Sequence, residues 1–149
     1  MDPRVSRLQT LEECDNLAAN AIVRGAPELA AQARVRSIQI RAGVHGVQGE
    51  VENDCLQAVH AYEEVLSASK GKRLHASRTW QMIKRHGIIP AVERVVLKRD
   101  VSTGFTALAS MGLMDYAFEA VVLRHPTCFS EEAVSVCRQR LLAVPPPSR

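Results

Sequence analysis

Aromatic residues are scarce in this sequence: they make up 4% of its 149 residues, and Trp80 is the only tryptophan. A core with so few rings has to be built from alanine, valine, leucine and isoleucine, and small side chains of this kind suit closely packed helices. The same scarcity leaves few platforms on which nucleic-acid bases could stack.

Long apolar runs are also absent. No segment approaches the roughly 18 to 20 apolar residues that a membrane span needs, and the N-terminus lacks the basic and then apolar pattern of a secretory signal peptide. We therefore expect a cytoplasmic protein that does not insert into a membrane.

Closely spaced metal ligands are a third absence. The four cysteines lie far apart in the chain, at Cys14, Cys55, Cys128 and Cys137, and neither Cys-x-x-Cys nor His-Glu-x-x-His occurs. Structural zinc sites need such short spacings. We expect free, buried thiols, no metal site and no cofactor.

Signals for helix formation recur along the whole chain. Thr10 and Glu13 have the spacing of a capping box, which starts a helix. A stripe at three- and four-residue steps predicts a long helix from about residue 48 to 69. The stripe consists of Val51, Cys55, Ala58, Tyr62, Val65, Leu66 and Ser69. No segment alternates apolar and polar residues long enough to indicate a strand.

These patterns predict an all-α fold. We expect one compact helical domain over residues 1–143, with about seven helices in an irregular bundle or an orthogonal array. Asp115 is expected to cap one of the later helices. A run of three prolines follows the last helical pattern, so residues 144–149 are predicted to form a disordered tail.

Positive charge is concentrated in residues 70–99. This segment contains nine of the nineteen lysines and arginines against the single acid Glu93, which gives it a net charge of +8. The rest of the chain has ten basic and fifteen acidic residues, a net charge of −5. Such an asymmetry indicates an anionic partner.

Two short helices are predicted inside the basic segment, one over residues 76–86 and one that starts at Pro90, with Gly87 between them. This order resembles the helix-turn-helix motif of DNA-binding proteins, and the resemblance implies that the second helix enters a DNA groove. Three positions depart from the motif. Ile83 stands where a small residue is usual, His86 where an apolar residue is usual, and Glu93 where a buried branched residue is usual.

Seven basic residues of the segment are the candidate nucleic-acid contacts: Lys72, Arg73, Arg78, Lys84, Arg85, Arg94 and Lys98. Lysine and arginine gain affinity for a phosphate backbone by releasing condensed counterions, whatever the base sequence. The sequence therefore favours a small nucleic-acid-binding or accessory protein that contacts the backbone of DNA or RNA.

The alternative is a helical protein-protein interaction module, or a homo-oligomer, in which the same basic residues meet an acidic surface. The long predicted helix would supply such a surface in this chain, through Glu50, Glu52, Asp54, Glu63 and Glu64.

No group of residues identifies a reaction, and we expect no catalytic activity. His60 and Glu64 are one helical turn apart, the spacing of a general base and its orienting carboxylate. A solvated helix face is the simpler interpretation of these two residues and of Glu63. Glu119 is likewise expected to point outward, and Trp80 is expected to anchor the core rather than to stack on a base.

Overall fold

The computed structural model describes residues 2–98 and 102–143. Within these ranges the regular secondary structure is helical, with nine α-helices and no strand, so the predicted all-α class is confirmed. The helices are α1 (Pro3–Ser6), α2 (Leu11–Val23), α3 (Pro27–Val44), α4 (Glu50–Lys70), α5 (Ser77–His86), α6 (Ile88–Leu97), α7 (Ser102–Ser110), α8 (Phe118–Arg124) and α9 (Glu131–Ala143). The sequence signals predict about seven helices, and the four-residue α1 is one that they miss. Arg99 and the predicted tail at 144–149 lie outside the described residues.

The capping box at the start of α2 is confirmed. The backbone N–H of Glu13 donates to Thr10 Oγ1 at 3.1 Å, and the backbone N–H of Thr10 donates to Glu13 Oε1 at 3.1 Å. After α2, Gly25 has a φ of 72°, a left-handed conformation that glycine adopts without strain. The chain then turns into α3, which packs against α2.

Replacing Thr10 by alanine should lower the free energy of unfolding by about 1 kcal/mol, because one N–H at the start of α2 loses its acceptor. Thr10→Ser keeps the hydroxyl and is the matched control. Urea unfolding of the three proteins measures the effect. Identical midpoints for the alanine and serine variants would show that the capping box contributes nothing.

Helix α4 is the central helix of the described structure, because it packs against α3, α6, α7 and α8. Cys55 and Val59 of α4 join residues of α6, α8 and α9 in one core cluster. Ala61 and Val65 join residues of α3 and α7 in a second cluster, which also contains Leu113. Neighbouring helices therefore cover α4 on more than one side, and its buried residues extend beyond the stripe seen in the sequence.

Within the basic segment, residues 77–97 form the helix pair α5–α6. Gly87 alone connects the two helices, with a φ of 94°, whereas the helix-turn-helix motif has a turn of three to four residues. The structure departs from the motif in this respect. Helix α6 begins two residues before Pro90, which lies in its first turn, and buries Val92 and Val96 in the first core cluster.

Asp115 does not cap a helix, so that prediction is wrong. It lies in a 3-10 turn, Met114–Tyr116, and α8 starts only after Ala117. Ala117 is fully buried in the second core cluster and has an extended backbone, with ψ of 148°. Its extended conformation separates the turn from α8.

All four cysteines are free thiols, as predicted, but they are not all buried. Cys14, Cys55 and Cys137 lie in the interior, and Cys128 is exposed. Burial raises the pKa of Cys55 and of Cys137 to about 12, so these two thiols stay protonated and unreactive at neutral pH. No helix in the described ranges is long and apolar enough to cross a membrane.

Candidate functional site

Six of the seven candidate contacts are exposed: Lys72, Arg78, Lys84, Arg85, Arg94 and Lys98. None of the six forms an ion pair with another residue in the described ranges. On α5 the polar side carries Arg78, Lys84 and Arg85, while Trp80 and Ile83 pack against the first core cluster. Helix α5 thus places its cations in solvent because its apolar side is held against the core.

Cations of both helices of the pair act on shared surroundings. Arg78 of α5 and Lys98, which follows α6, line the same cavity. Desolvation lowers the pKa of His86 in the last turn of α5, and the positive charges of Arg94 of α6 and Arg85 of α5 lower it further. We call Arg78, Lys84, Arg85, Arg94 and Lys98 the basic face.

Arg73 differs from the other six candidates because its charge is opposed within the chain. Its guanidinium donates to Asp15 Oδ1 at 2.8 Å and to Glu64 Oε1 at 3.2 Å, and its side chain is 26% exposed. Glu64 also accepts a hydrogen bond from Ser37 at 3.1 Å. Arg73 therefore ties the connection between α4 and α5 to α2 and α4.

A buried carboxylate positions α5 on α4. Glu63 is fully buried, and one of its oxygens accepts hydrogen bonds from the backbone N–H of Ala76 at 2.9 Å and from Trp80 Nε1 at 2.8 Å. Its other oxygen lies 2.8 Å from His60 Nδ1. The start of α5 and its indole ring are thus fixed by one side chain of α4.

The hydrogen bonds decide the charge of Glu63. Burial by itself raises the pKa of this carboxyl, but the bonds from His60, Trp80 and the Ala76 N–H outweigh burial and hold the pKa at about 2. Glu63 is therefore ionised at neutral pH. Since an ionised carboxylate only accepts hydrogen bonds, His60 Nδ1 carries a proton and donates it.

Two histidines and the tryptophan complete this group, which we call the Glu63 cluster: His45, His60, Glu63, Ala76 and Trp80. The Nε2 atoms of His45 and His60 are 3.1 Å apart. The His45 ring stacks on Trp80, with centroids 5.1 Å apart and planes 24° from parallel. Trp80 is therefore a packing residue, as predicted, with its N–H satisfied by Glu63.

The expectation that Glu63 and Glu64 lie on a solvated helix face is wrong, because α3 and the chain around α5 cover that side of α4. The hypothesis of a His60–Glu64 pair is also corrected: His60 bonds to Glu63, three residues later, and Glu64 bonds to Arg73 and Ser37. The apolar residues Leu56 and Ala61, which lie off the predicted stripe, are the sequence signal that this side of α4 is covered.

Glu119 is buried as well, contrary to expectation. It is 2% exposed, and Arg140 Nη1 lies 3.4 Å from its Oε2 atom. Burial raises the pKa of Glu119, and Arg140 offsets part of this rise. The partner comes from α9, twenty-one residues later in the chain, and therefore could not be recognised from the local pattern.

The side chains of the Glu63 cluster contact one another. Both nitrogens of His60 are engaged, by Glu63 and by His45, and neither histidine lines the cavity beside α5. In the described part of the chain, no three His, Cys, Asp or Glu side chains are placed to hold a metal ion. What the cluster does is hold α5 and, with it, the basic face.

A cavity of about 560 Å³ lies beside the first turn of α5. We call it the α5 cavity. Its walls are mainly apolar and come from five helices, and two members of the basic face stand at it. The lining residues are Tyr62, Leu66, His75, Ala76, Ser77, Arg78, Thr79, Met82, Val95, Lys98, Phe105, Leu108, Phe118 and Glu119.

Comparison of the chain with protein-family models, with curated proteins and with solved structures finds no match.

Proposed function

We propose that this chain binds nucleic acid through contacts between its basic face and the phosphate backbone. The observation that carries the proposal is that six predicted cations are exposed and form no ion pair with the described residues. Exposed cations that form no ion pair attract polyanions, and release of condensed counterions drives their binding to DNA or RNA.

Backbone contacts without base readout are the mode that we propose. The ring of Trp80 is stacked on His45, and its N–H is bonded to Glu63, so this ring does not provide a stacking platform for a base. The basic face consists of lysines and arginines, which gain affinity from phosphates whatever the base sequence. We therefore expect similar affinities for nucleic acids of different sequence.

The alternative function is a protein-protein interaction module or a homo-oligomer. The structure weakens the homo-oligomer, in which α4 of one copy supplies an acidic surface for the basic face of another. Glu63 and Glu64 are buried, and Asp54 lies 2.8 Å from His125 Nε2 and 3.6 Å from Arg124 Nε. Most of the predicted acidic surface is thus engaged inside the chain. Binding to a different, acidic protein is the alternative that the experiment below distinguishes from nucleic-acid binding.

The proposal includes three expectations from the sequence: a single helical domain, a cytoplasmic location and a binding role without catalysis. In support of the first, α4 contributes to both core clusters and so links the helices before it to those after it.

Fluorescence anisotropy with labelled duplex DNA, single-stranded DNA and RNA tests the proposal. We expect micromolar or tighter binding at 50 mM salt that weakens steeply as salt increases. Arg78→Gln, Lys84→Gln and Arg85→Gln combined should weaken binding by about a hundredfold and make the salt dependence shallower by about three charges.

A second triple variant, Arg7→Gln, Arg24→Gln and Arg138→Gln, is the matched control, because these exposed arginines lie outside the α5–α6 pair. It has the same net charge as the test variant and should retain most of the affinity. Equal losses in the two variants would mean that net charge alone drives binding. No binding at 50 mM salt would reject the proposal and favour an acidic protein partner.

A further inference from the structure

The α5 cavity has the size and lining of a small-molecule site. Ligand sites are typically concave, about 300 to 1,000 Å³, and mostly apolar with a few polar groups, and the volume of about 560 Å³ lies within this range. Tyr62, Met82, Phe105, Leu108 and Phe118 supply large apolar or aromatic walls. An occupant with an apolar body would release water from these walls.

Positive charge at the cavity indicates the chemistry of the ligand's polar end. Arg78 of α5 and Lys98, which follows α6, are exposed, line the cavity, and form no ion pair in the described ranges. Ser77 and Thr79, in the first turn of α5, add two hydroxyl donors. These groups favour an anionic head.

Glu119 is the acidic residue in the lining, and its charge is compensated. Arg140 lies 3.4 Å from its carboxylate on one side, and the same guanidinium donates to the backbone carbonyl of Lys98 at 2.7 Å. Arg140 thus offsets the charge of Glu119, and it bonds to the backbone that carries Lys98.

We infer that the α5 cavity binds an amphiphilic organic anion, with its apolar chain among Met82, Phe105 and Leu108 and its charged head at Arg78 and Lys98. The ligands in question share a single alkyl chain with a carboxylate or phosphate head. This inference goes beyond nucleic-acid binding and does not require it.

Isothermal titration calorimetry with octanoate, decanoate and dodecanoate, below their micelle concentrations, tests the apolar part. Each methylene buried in the cavity should tighten binding about fourfold. Dodecyl phosphate should bind like dodecanoate, because the head needs only negative charge. Dodecyltrimethylammonium has the same chain and the opposite charge, and it should bind at least tenfold more weakly. Equal affinity for this cation, or no heat with dodecanoate, would overturn the inference.

Variants separate this site from the basic face. Met82→Trp places an indole ring where the alkyl chain is proposed to lie and should weaken dodecanoate binding at least tenfold, while affinity for nucleic acid stays unchanged. Arg78→Gln with Lys98→Gln should weaken dodecanoate binding about tenfold. Both residues are exposed, so this double variant should fold, and it tests the site if Met82→Trp does not fold. Lys84→Gln with Arg94→Gln is the control: it should weaken nucleic acid and leave dodecanoate unchanged. If both pairs weaken dodecanoate equally, the cavity is not the site.

Discussion

Replacing Glu63 by glutamine should lower the free energy of unfolding by about 3 to 5 kcal/mol. The carboxylate accepts hydrogen bonds from His60, Trp80 and the backbone N–H of Ala76, and all three donors are within 2.9 Å of its oxygens. An amide turns an N–H₂ group toward at least one of these donors, which then has no acceptor in a site closed to water. Guanidinium chloride unfolding followed by Trp80 fluorescence measures the loss.

Glu50→Gln is the matched control, because it makes the same chemical change at an exposed position of the same helix. We expect it to cost less than about 1 kcal/mol, the size of a charge effect at a helix N-terminus. If the two variants unfold at the same denaturant concentration, the Glu63 cluster does not hold α5 against α4.

The pH dependence of stability provides a second measurement on the same residue. The folded-state pKa of Glu63, about 2, is below its ordinary value of 4.5, so the unfolded chain takes up the proton first as pH falls. The stabilisation from this group, about 3 kcal/mol, is complete above pH 4.5 and is lost progressively as pH falls toward 2. Glu63→Gln lacks this contribution, so the wild-type protein should lose its advantage over the variant in that range.

Leu113→Ala should cost about 2 to 5 kcal/mol of unfolding free energy, because Leu113 is 0% exposed in the second core cluster and truncation leaves a cavity. Its neighbours in that cluster include Ile38 of α3, Val65 of α4 and Leu108 of α7. The residue thus connects helices that are distant in the chain, and the surrounding backbone has little freedom to close the gap.

The same substitution at Leu142 is its control, because that leucine is 81% exposed. Leu142→Ala should change the unfolding free energy by no more than about 0.5 kcal/mol. Urea midpoints and slopes for both variants give the comparison. A small effect at Leu113, with the slope unchanged, would mean that the second core cluster does not contribute to cooperative folding.

The exposure of the basic face is a feature that local sequence predicts well. Lysine and arginine are exposed by default, because burying an unpaired charge is costly, and six of the seven candidates are exposed. Arg73 shows the limit of this rule. It belongs to the same run of positive charge, yet its partner Asp15 is 58 residues earlier in the chain.

Local sequence does not predict the burial of Glu63 and Glu64 on α4. The spacing of His60, Glu63 and Glu64 is the same whether water or another helix covers that side of α4. The spacing of these three residues cannot distinguish the two cases, and within α4 the signal for a covered side is the pair of apolar residues Leu56 and Ala61 off the predicted stripe. The distinction depends on the donors that complete the Glu63 cluster, which lie 13 and 17 residues away at Ala76 and Trp80.

By itself, the sequence determines the helical class, the capping box at Thr10 and the concentration of positive charge in residues 70–99. These features depend on residues within one or two helical turns of each other, or on composition alone. The tertiary structure decides which charges are free: it buries Glu63, Glu64 and Glu119, pairs Arg73, and forms the α5 cavity from five helices. A buried charge is stable only with a partner, and such partners are brought together by helix packing, which no local pattern records.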